Sequence, residues 1–258
     1  MSSALAGVGI LITRPLAQAA SLAARVQAQG GVPVLFPTIE IAAPEDASAL
    51  TACITRLPEF DLIVFVSPSA VERAVPLFTA RDPDWARDCR VAAVGQGTWQ
   101  GLQRHGIEKV IVPARQTGAA GLLDLPEFTT PAPRHVLIVR GVGGRDELAE
   151  GLKARGARVE YAECYRRVRP DADAEPLLER WRRGEVAAVT VTSVEILENL
   201  IALLGEPGAA YLRHTPMFVH HPRIAAAARA RGIERVIETA PDEAGLVVAM
   251  QAYFARHG

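Results

Sequence analysis

Six short segments hold most of the residues that could grip or protonate a ligand. They are Thr13-Arg14-Pro15, Ser67-Pro68-Ser69, Gly95-Gln96-Gly97-Thr98, Arg140-Gly141-Val142-Gly143-Gly144, Thr192-Ser193 and His221-Pro222-Arg223. Each follows a short β-branched run, and together they are rich in hydroxyls, small residues and arginines and poor in acids. Where a strand gives way to a helix, unpaired N–H groups and the helix dipole favour anions. The set is suited to holding a polyanion. Plainer readings stand beside this one: Ser67, Ser69, Thr98 and Ser193 as helix N-caps, the glycines as turn formers, and Arg14 and Arg140 as ion-pair partners.

Other chemistries find less support. Gly95-x-Gly97-x-x-x-Gly101 and Gly141-x-Gly143-Gly144 loosely resemble a dinucleotide fingerprint but miss its spacing. After the second, Glu160 and Glu163 could serve as a ribose-binding acid; a Walker lysine motif is absent. His220 and His221 are adjacent on an expected strand, so they would face opposite sides and could not easily share a metal. Cys53, Cys89 and Cys164 lack zinc or redox spacing and read as reduced thiols. No nucleophile elbow or cysteine–histidine signature occurs. The expectation is chemistry without metal, cofactor or covalent nucleophile.

The elements that must position these residues repeat. Gly9–Arg14 aligns with His135–Arg140, Leu62–Ser67 with Ala188–Ser193, and Gly106–Ile111 with Gly232–Ile237, all at one offset of 126 residues. One ungapped register across three blocks points to an internal duplication. Candidate strands are 9–14, 32–41, 61–66, 91–95 and 109–113, then 135–140, 158–167, 186–192, 217–221 and 235–238. Stretches such as Gln18–Gln29 and Ser69–Phe78 have apolar residues at helical spacing, and Gly30, Gly106, Gly156 and Gly232 stand where helices should stop. The alternation predicts α/β architecture with two flavodoxin-like parallel sheets.

The long strands at 32–42 and 158–168, each followed by a Pro- and Asp-containing stretch, read as interdomain crossings. With two such crossings the lobes are about 1–38 plus 167–258 and about 42–163. Two consecutive lobes of about 1–125 and 126–258 fit the pattern equally well. The formal net charge of −1 gives no field to draw nucleic acid or an anionic membrane. Residues 1–7 carry no basic residue, and Arg14-Pro15 cuts the apolar run that follows. No signal peptide or membrane span is predicted, and a cytoplasmic protein is expected.

The run Leu11-Ile12-Thr13-Arg14-Pro15, then Asp61 to Val71, then Val91-Ala92-Ala93-Val94-Gly95 with Thr98, resembles the uroporphyrinogen-III synthase family in content and order. Val136 to Gly141, Gly143-Gly144-Arg145, Val159-Glu160-Tyr161 with Cys164-Tyr165, and Thr192-Ser193 continue the likeness over nearly the whole chain. The resemblance implies the discontinuous lobe, with crossings near 39–41 and 164–166 joined as a two-stranded ladder, and a cleft between the lobes. It also implies a cyclising lyase with hydroxymethylbilane as substrate, uroporphyrinogen III as product and a transient contact with the preceding pathway enzyme. The substrate loses its hydroxyl to give an azafulvene, is attacked at the substituted carbon of the last ring, and passes through a spiro intermediate that recloses with that ring inverted. The substrate carries its own nucleophile and leaving group, so the enzyme folds the chain and assists departure of water.

By the resemblance, Tyr165 is the candidate proton donor, with a packing aromatic as its competing reading. Thr98 and Ser193 match substrate-carboxylate contacts, Ser67 is the repeat equivalent of Ser193, and Arg14, Ser69, Gly95, Arg140 and Gly141 complete the strand-end contacts. One loop departs from the family, which often has Gly-Pro-Thr-Thr-like residues where this chain has His221-Pro222-Arg223-Ile224. Pro222 and Arg223 are expected there, with either the Arg223 side chain or backbone N–H groups meeting a carboxylate. The rival from another class is a non-catalytic bilobal binder or sensor.

Overall fold

The computed structural model describes residues 4–87, 89–114, 118–129 and 132–257; the first residues of the N-terminal segment read above lie outside this set. In chain order the elements are β1 (Gly9–Ile12), α1 (Leu16–Ala28), β2 (Val32–Leu35), β3 (Glu40–Ala42), α2 (Ser48–Thr55), β4 (Leu62–Phe65), α3 (Pro68–Arg81), β5 (Arg90–Ala93), α4 (Gln96–Arg104), β6 (Val110–Ile111) and α5 (Gly118–Leu123). They continue as β7 (His135–Gly141), α6 (Glu147–Ala154), β8 (Arg158–Val168), α7 (Glu175–Arg182), β9 (Ala188–Val191), α8 (Val194–His214), β10 (Met217–Val219), α9 (Pro222–Ala230), β11 (Val236–Glu238) and α10 (Glu243–His257). The chain divides into two compact units, Met1–Glu40 with Val168–Gly258, and Ile41–Arg167.

The first unit holds a sheet of order β2-β1-β9-β10-β11, parallel at every pairing. Helix α1 forms because Ala19, Leu22 and Val26 recur at helical spacing and bury one face against Ile10, Ile12, Phe218 and Met250. A division into 1–125 and 126–258 would part β1 from β9, its hydrogen-bonded neighbour. The second unit holds the order β3-β8-β7-β4-β5-β6. Strand β4 alternates: Ile63 and Phe65 join one core with α3, while Leu62 and Val64 join another with Leu122, Leu148 and Leu152. Both faces are covered, as a parallel sheet requires. The first residues of β1, β2, β4 and β6 stand 126 positions before those of β7, β8, β9 and β11. Gly30 and Gly156, at φ +77° and +87°, end helices in the left-handed conformation open to glycine.

Two sequence expectations need correction. The long strand 32–41 is broken between β2 and β3, where Phe36 N still donates to Ile12 O before Thr38 turns inward. The Thr38 carbonyl accepts from Asn199 Nδ2 at 2.9 Å, and its N–H donates to Thr13 O at 3.1 Å. His220 and His221 are not on a strand, since β10 ends at Val219; His221 instead caps α9, accepting from Arg223 N at 3.1 Å.

At the amino-terminal end of the second sheet, Glu160 receives Arg56 at 3.2 and 2.5 Å, Arg158 at 2.8 Å and a ring nitrogen of His135 at 2.8 Å. The Arg56 hydrogen bonds, helped by His135 and opposed by burial, hold its carboxyl at about 2, down from 4.5. A depressed carboxyl stabilises the fold above its unfolded value and loses that stabilisation as pH falls through the folded one. Glu160→Gln should lower the Tm by about 2–4 °C at pH 7, as expected for a loss on the order of 1 kcal/mol. The gap should narrow as pH falls from 4.5 towards 2. Thermal melts in a pH series test this, and a gap constant from about pH 7 to 3 would contradict it.

Candidate active site

In parallel α/β sheets the ligand end is the carboxyl end of the strands. In the second unit, Ser67, Gly95 and Gly141 stand at or just beyond the ends of β4, β5 and β7. Ser67 has an extended backbone and caps α3, its Oγ accepting from Ala70 N at 3.1 Å. Pro68 follows at the first helical position, where its missing N–H costs nothing, and Ser69 lies half-buried in the same turn. Gly95 is the cap residue of α4, and Thr98 is buried in that helix's first turn. The two turns are neighbours, since a Cβ on Gly97 would lie 3.6 Å from the Pro68 ring.

Tyr165 reaches this group through an irregularity. The β7–β8 register runs from His135↔Arg158 to Arg140↔Glu163 and then jumps to Gly141↔Tyr165, leaving Cys164 as an extra residue. The Cys164 thiol is buried, pushed up to about 12 by desolvation, and faces the carbonyls of Arg140 and Ala70 at 3.5 and 3.8 Å. The bulge turns the Tyr165 ring over Gly141 and brings its hydroxyl 3.0 Å from Ser67 Oγ. Tyr165 is only 3% exposed. Its backbone carbonyl accepts from Val142 N at 2.8 Å.

Arg140 lies on the same strand end, but its guanidinium is fully engaged. It donates to Glu163 at 3.1 Å, Asp146 at 2.8 Å, Gly144 O at 3.0 Å and Arg145 O at 3.3 Å, and stacks 3.7 Å over the Tyr161 ring. Tyr161 in turn donates to Asp146 at 2.8 Å. The Asp146 carboxyl is held below its usual range by Arg140 first and Tyr161 second. Only a planar fork can meet two carboxylates and two carbonyls at once. Arg140 therefore clasps the loop 141–146. Sequence reasoning missed Asp146 and Tyr161 here and weighed Glu163 only as a ribose-binding acid; the β7–β8 pairing register is the signal that joins them.

The first unit carries its own strand-end set. Arg14 pairs with Glu243 at 2.6 Å, and Ser21 donates to the same carboxylate at 2.7 Å. Ser193 caps α8, accepting from Ile196 N at 3.1 Å. Pro222 is the first residue of α9, and Arg223 beside it is exposed, with no ion pair among the described residues. His220 is half-buried next to Ala240 O at 3.1 Å, and burial lowers its pKa from the usual histidine value. Among the described residues, no group of three or more His, Cys, Asp or Glu could hold a metal ion, and no helix is long and apolar enough to cross a membrane.

The model of a family described as "Uroporphyrinogen-III synthase HemD" matches residues 20–248. The uroporphyrinogen-III synthase of Escherichia coli (strain K12) is 33% identical over 247 residues, covering 95% of this chain and 100% of the relative. That of Salmonella typhimurium is 35% identical over 196 residues, covering 76% and 80%. Among solved structures, a mutant uroporphyrinogen III synthase from the extremely thermophilic bacterium Thermus thermophilus matches with a TM-score of 0.59 at 19% identity, covering 97% of this chain and 100% of that one. The uroporphyrinogen-III synthetase of Helicobacter pylori matches at 0.58 and 14%, covering 85% and 92%. At these identities the two structures speak for the α/β fold with parallel sheets.

Removing the Arg140 clasp should release its loop while leaving the sheet intact. In Arg140→Met, amide exchange over residues 142–146 should accelerate at least tenfold, since a buried hydrogen-bonded charge commonly contributes more than about 1.4 kcal/mol. Hydrogen–deuterium exchange read by mass spectrometry tests this; unchanged protection would mean that the loop is held by other contacts.

Proposed function

The chain belongs to the uroporphyrinogen-III synthase family, and from that premise we propose that it closes hydroxymethylbilane to uroporphyrinogen III with inversion of the last ring and loss of water. It is an enzyme of heme biosynthesis, a cyclising lyase acting on a small tetrapyrrole substrate. The single observation that carries the site assignment is the phenol of Tyr165 at the carboxyl end of the second sheet, hydrogen-bonded to a helix-capping serine.

In this reading Tyr165 Oη gives its proton to the substrate's hydroxyl as the C–O bond breaks. Water leaves, the pyrrole nitrogen lone pair supplies the electrons, and an N-protonated azafulvenium cation remains beside the phenolate. Attack at the substituted carbon of the last ring, fragmentation and reclosure follow on the substrate, and the proton lost on restoring the aromatic ring returns to the phenolate. Atoms balance as substrate giving product and one water. Because spontaneous closure yields the uninverted isomer, the enzyme's main task is to control conformation.

Hydroxyls and backbone N–H groups at the helix starts suit the substrate's acetates and propionates: Ser69, Gly95 and Thr98 in the second unit, and Ser193 with the Pro222-Arg223 turn in the first. Arg223, exposed and outside the ion pairs among the described residues, is the arginine best placed to meet a carboxylate. Arg14 and Arg140 already face acids, which favours them as holders of their strand ends. The strand order of each unit, with four strand starts displaced by 126 residues, supports two flavodoxin-like lobes from a duplication, divided as about 1–38 plus 167–258 and 42–163. An unstable linear substrate also favours transient contact with the enzyme that makes it, in the cytoplasm.

The test is a coupled assay that generates hydroxymethylbilane in place, followed by oxidation and separation of type I and type III porphyrins. Type III should predominate. Tyr165→Phe should lower kcat about 100-fold or more with the fold intact, in the range expected for loss of a general acid. Near-normal turnover would remove the acid role. Type I product alone from folded protein would favour the non-catalytic binder.

A further inference from the structure

We propose that Ser67 and Gly141 are positioning residues for Tyr165, Ser67 by donating a hydrogen bond to the phenol oxygen and Gly141 by leaving the space that the ring fills. The proposal rests on the reading of Tyr165 as the acid and adds the parts that aim it.

Ser67 Oγ already accepts from Ala70 N, which fixes its position at the start of α3. It keeps its proton and one lone pair, so either hydroxyl can donate across the 3.0 Å contact with Tyr165 Oη; the acid role of Tyr165 requires Ser67 to be the donor. With Ser67 as donor, the phenol proton turns to the other side of the C–O bond, away from Ser67. With the roles reversed, that proton would be tied to Ser67 and withheld from a ligand. The cap needs no tyrosine to form. Ser193 makes the same cap to Ile196 N in the first unit, and the position 126 residues before Tyr165 is Ile39, which has no hydroxyl to offer.

Gly141 constrains the other end of the ring. A Cβ at 141 would stand 2.6 Å from Tyr165 Cε2, 2.7 Å from Cζ and 3.1 Å from Oη. Real atoms do not approach so closely, and a buried ring locked between β7 and α3 cannot step aside as a flexible chain could. The bulge at Cys164 and the bond from Val142 N to Tyr165 O hold the backbone. Oxygen, ring face and main chain are thus fixed by three separate contacts. A purely apolar filler would need only the second and third, which phenylalanine could satisfy.

The experiment measures kcat, KM and the type III to type I ratio for the parent, Ser67→Ala, Ser67→Thr, Gly141→Ala, Tyr165→Phe and the Ser67→Ala/Tyr165→Phe double variant, with folding checked by circular dichroism and Tm. Ser67→Ala should lower kcat at least tenfold with KM within about twofold, because misaimed groups lose rate more than binding. Ser67→Thr, which keeps hydroxyl and cap, should recover activity to within about threefold of the parent. Gly141→Ala should lower kcat at least tenfold. In the Tyr165→Phe background, Ser67→Ala should cost nothing further, since its effect runs through the phenol. Full kcat in Ser67→Ala, or losses that multiply in the double variant, would overturn the proposal while a slow Tyr165→Phe left the acid reading standing. A fully active Tyr165→Phe would instead bring down the acid reading, and the proposal with it. If Gly141→Ala fails to fold, the Ser67 series decides alone.

Discussion

The pairing of β4 with β7 is the constraint from which the second unit's site follows. Leu62 to Phe65 are wholly buried, and alternate residues face two different cores, so β4 can only be an interior strand. Its partner must be equally apolar, and β7 meets it in parallel register, Leu62↔Val136 through Phe65↔Val139. That register carries on past the strand, with Val66 N donating to Val139 O. Ser67 is thereby delivered next to the end of β7, where Arg140 and Gly141 lie. A one-residue slip would exchange the two faces of β4 and move the capping serine away from Tyr165.

Charge is handled differently at the two ends of this sheet. At the amino-terminal end Glu160 gathers Arg56, Arg158 and His135, and the cluster has the character of a structural brace. At the carboxyl end Arg140 is answered by Asp146 and Glu163, and Arg14 in the first unit by Glu243. Arginines bound to acids leave little uncompensated positive charge at either strand end. A polycarboxylate would then be met at those two strand ends by neutral donors, hydroxyls and helix-start N–H groups, with Arg223 at a third as the exposed cation. Such donors impose direction without a strong field, which suits a substrate whose folding must be controlled more than its capture.

Much of the fold was legible because parallel strands buried on both faces leave dense β-branched runs, and glycines at φ above zero mark helix ends. Most strand starts fell within a residue or two of expectation. The break at residues 36–39 was not legible, because the bonds that turn Thr38 inward come from Thr13 and Asn199, the latter 161 residues away. For the candidate site, residue types and strand-end positions could be read, but contacts could not. Ser67 and Tyr165 are 98 residues apart, and only the bulge at Cys164 brings them together. Without that extra residue the alternation of β8 would send Tyr165 to the other face of the sheet. Arg140 was legible as a strand-end arginine, while its saturation by Asp146, Glu163 and two carbonyls was not.

The proposed duplication explains what the two units share and isolates what they do not. Ser67 and Ser193 are equivalent caps, and Arg14 and Arg140 equivalent arginines, each with an acid nearby. The strands following these arginines differ. In the first unit β2 ends after four residues, whereas β8 runs on for eleven and carries the bulge. The proton donor proposed here sits where that longer strand departs from its counterpart. Symmetric parts could bind similar carboxylates alike, but inverting one ring of four requires an asymmetric environment. The continuous, bulged β8 supplies an asymmetry that the shared register could not.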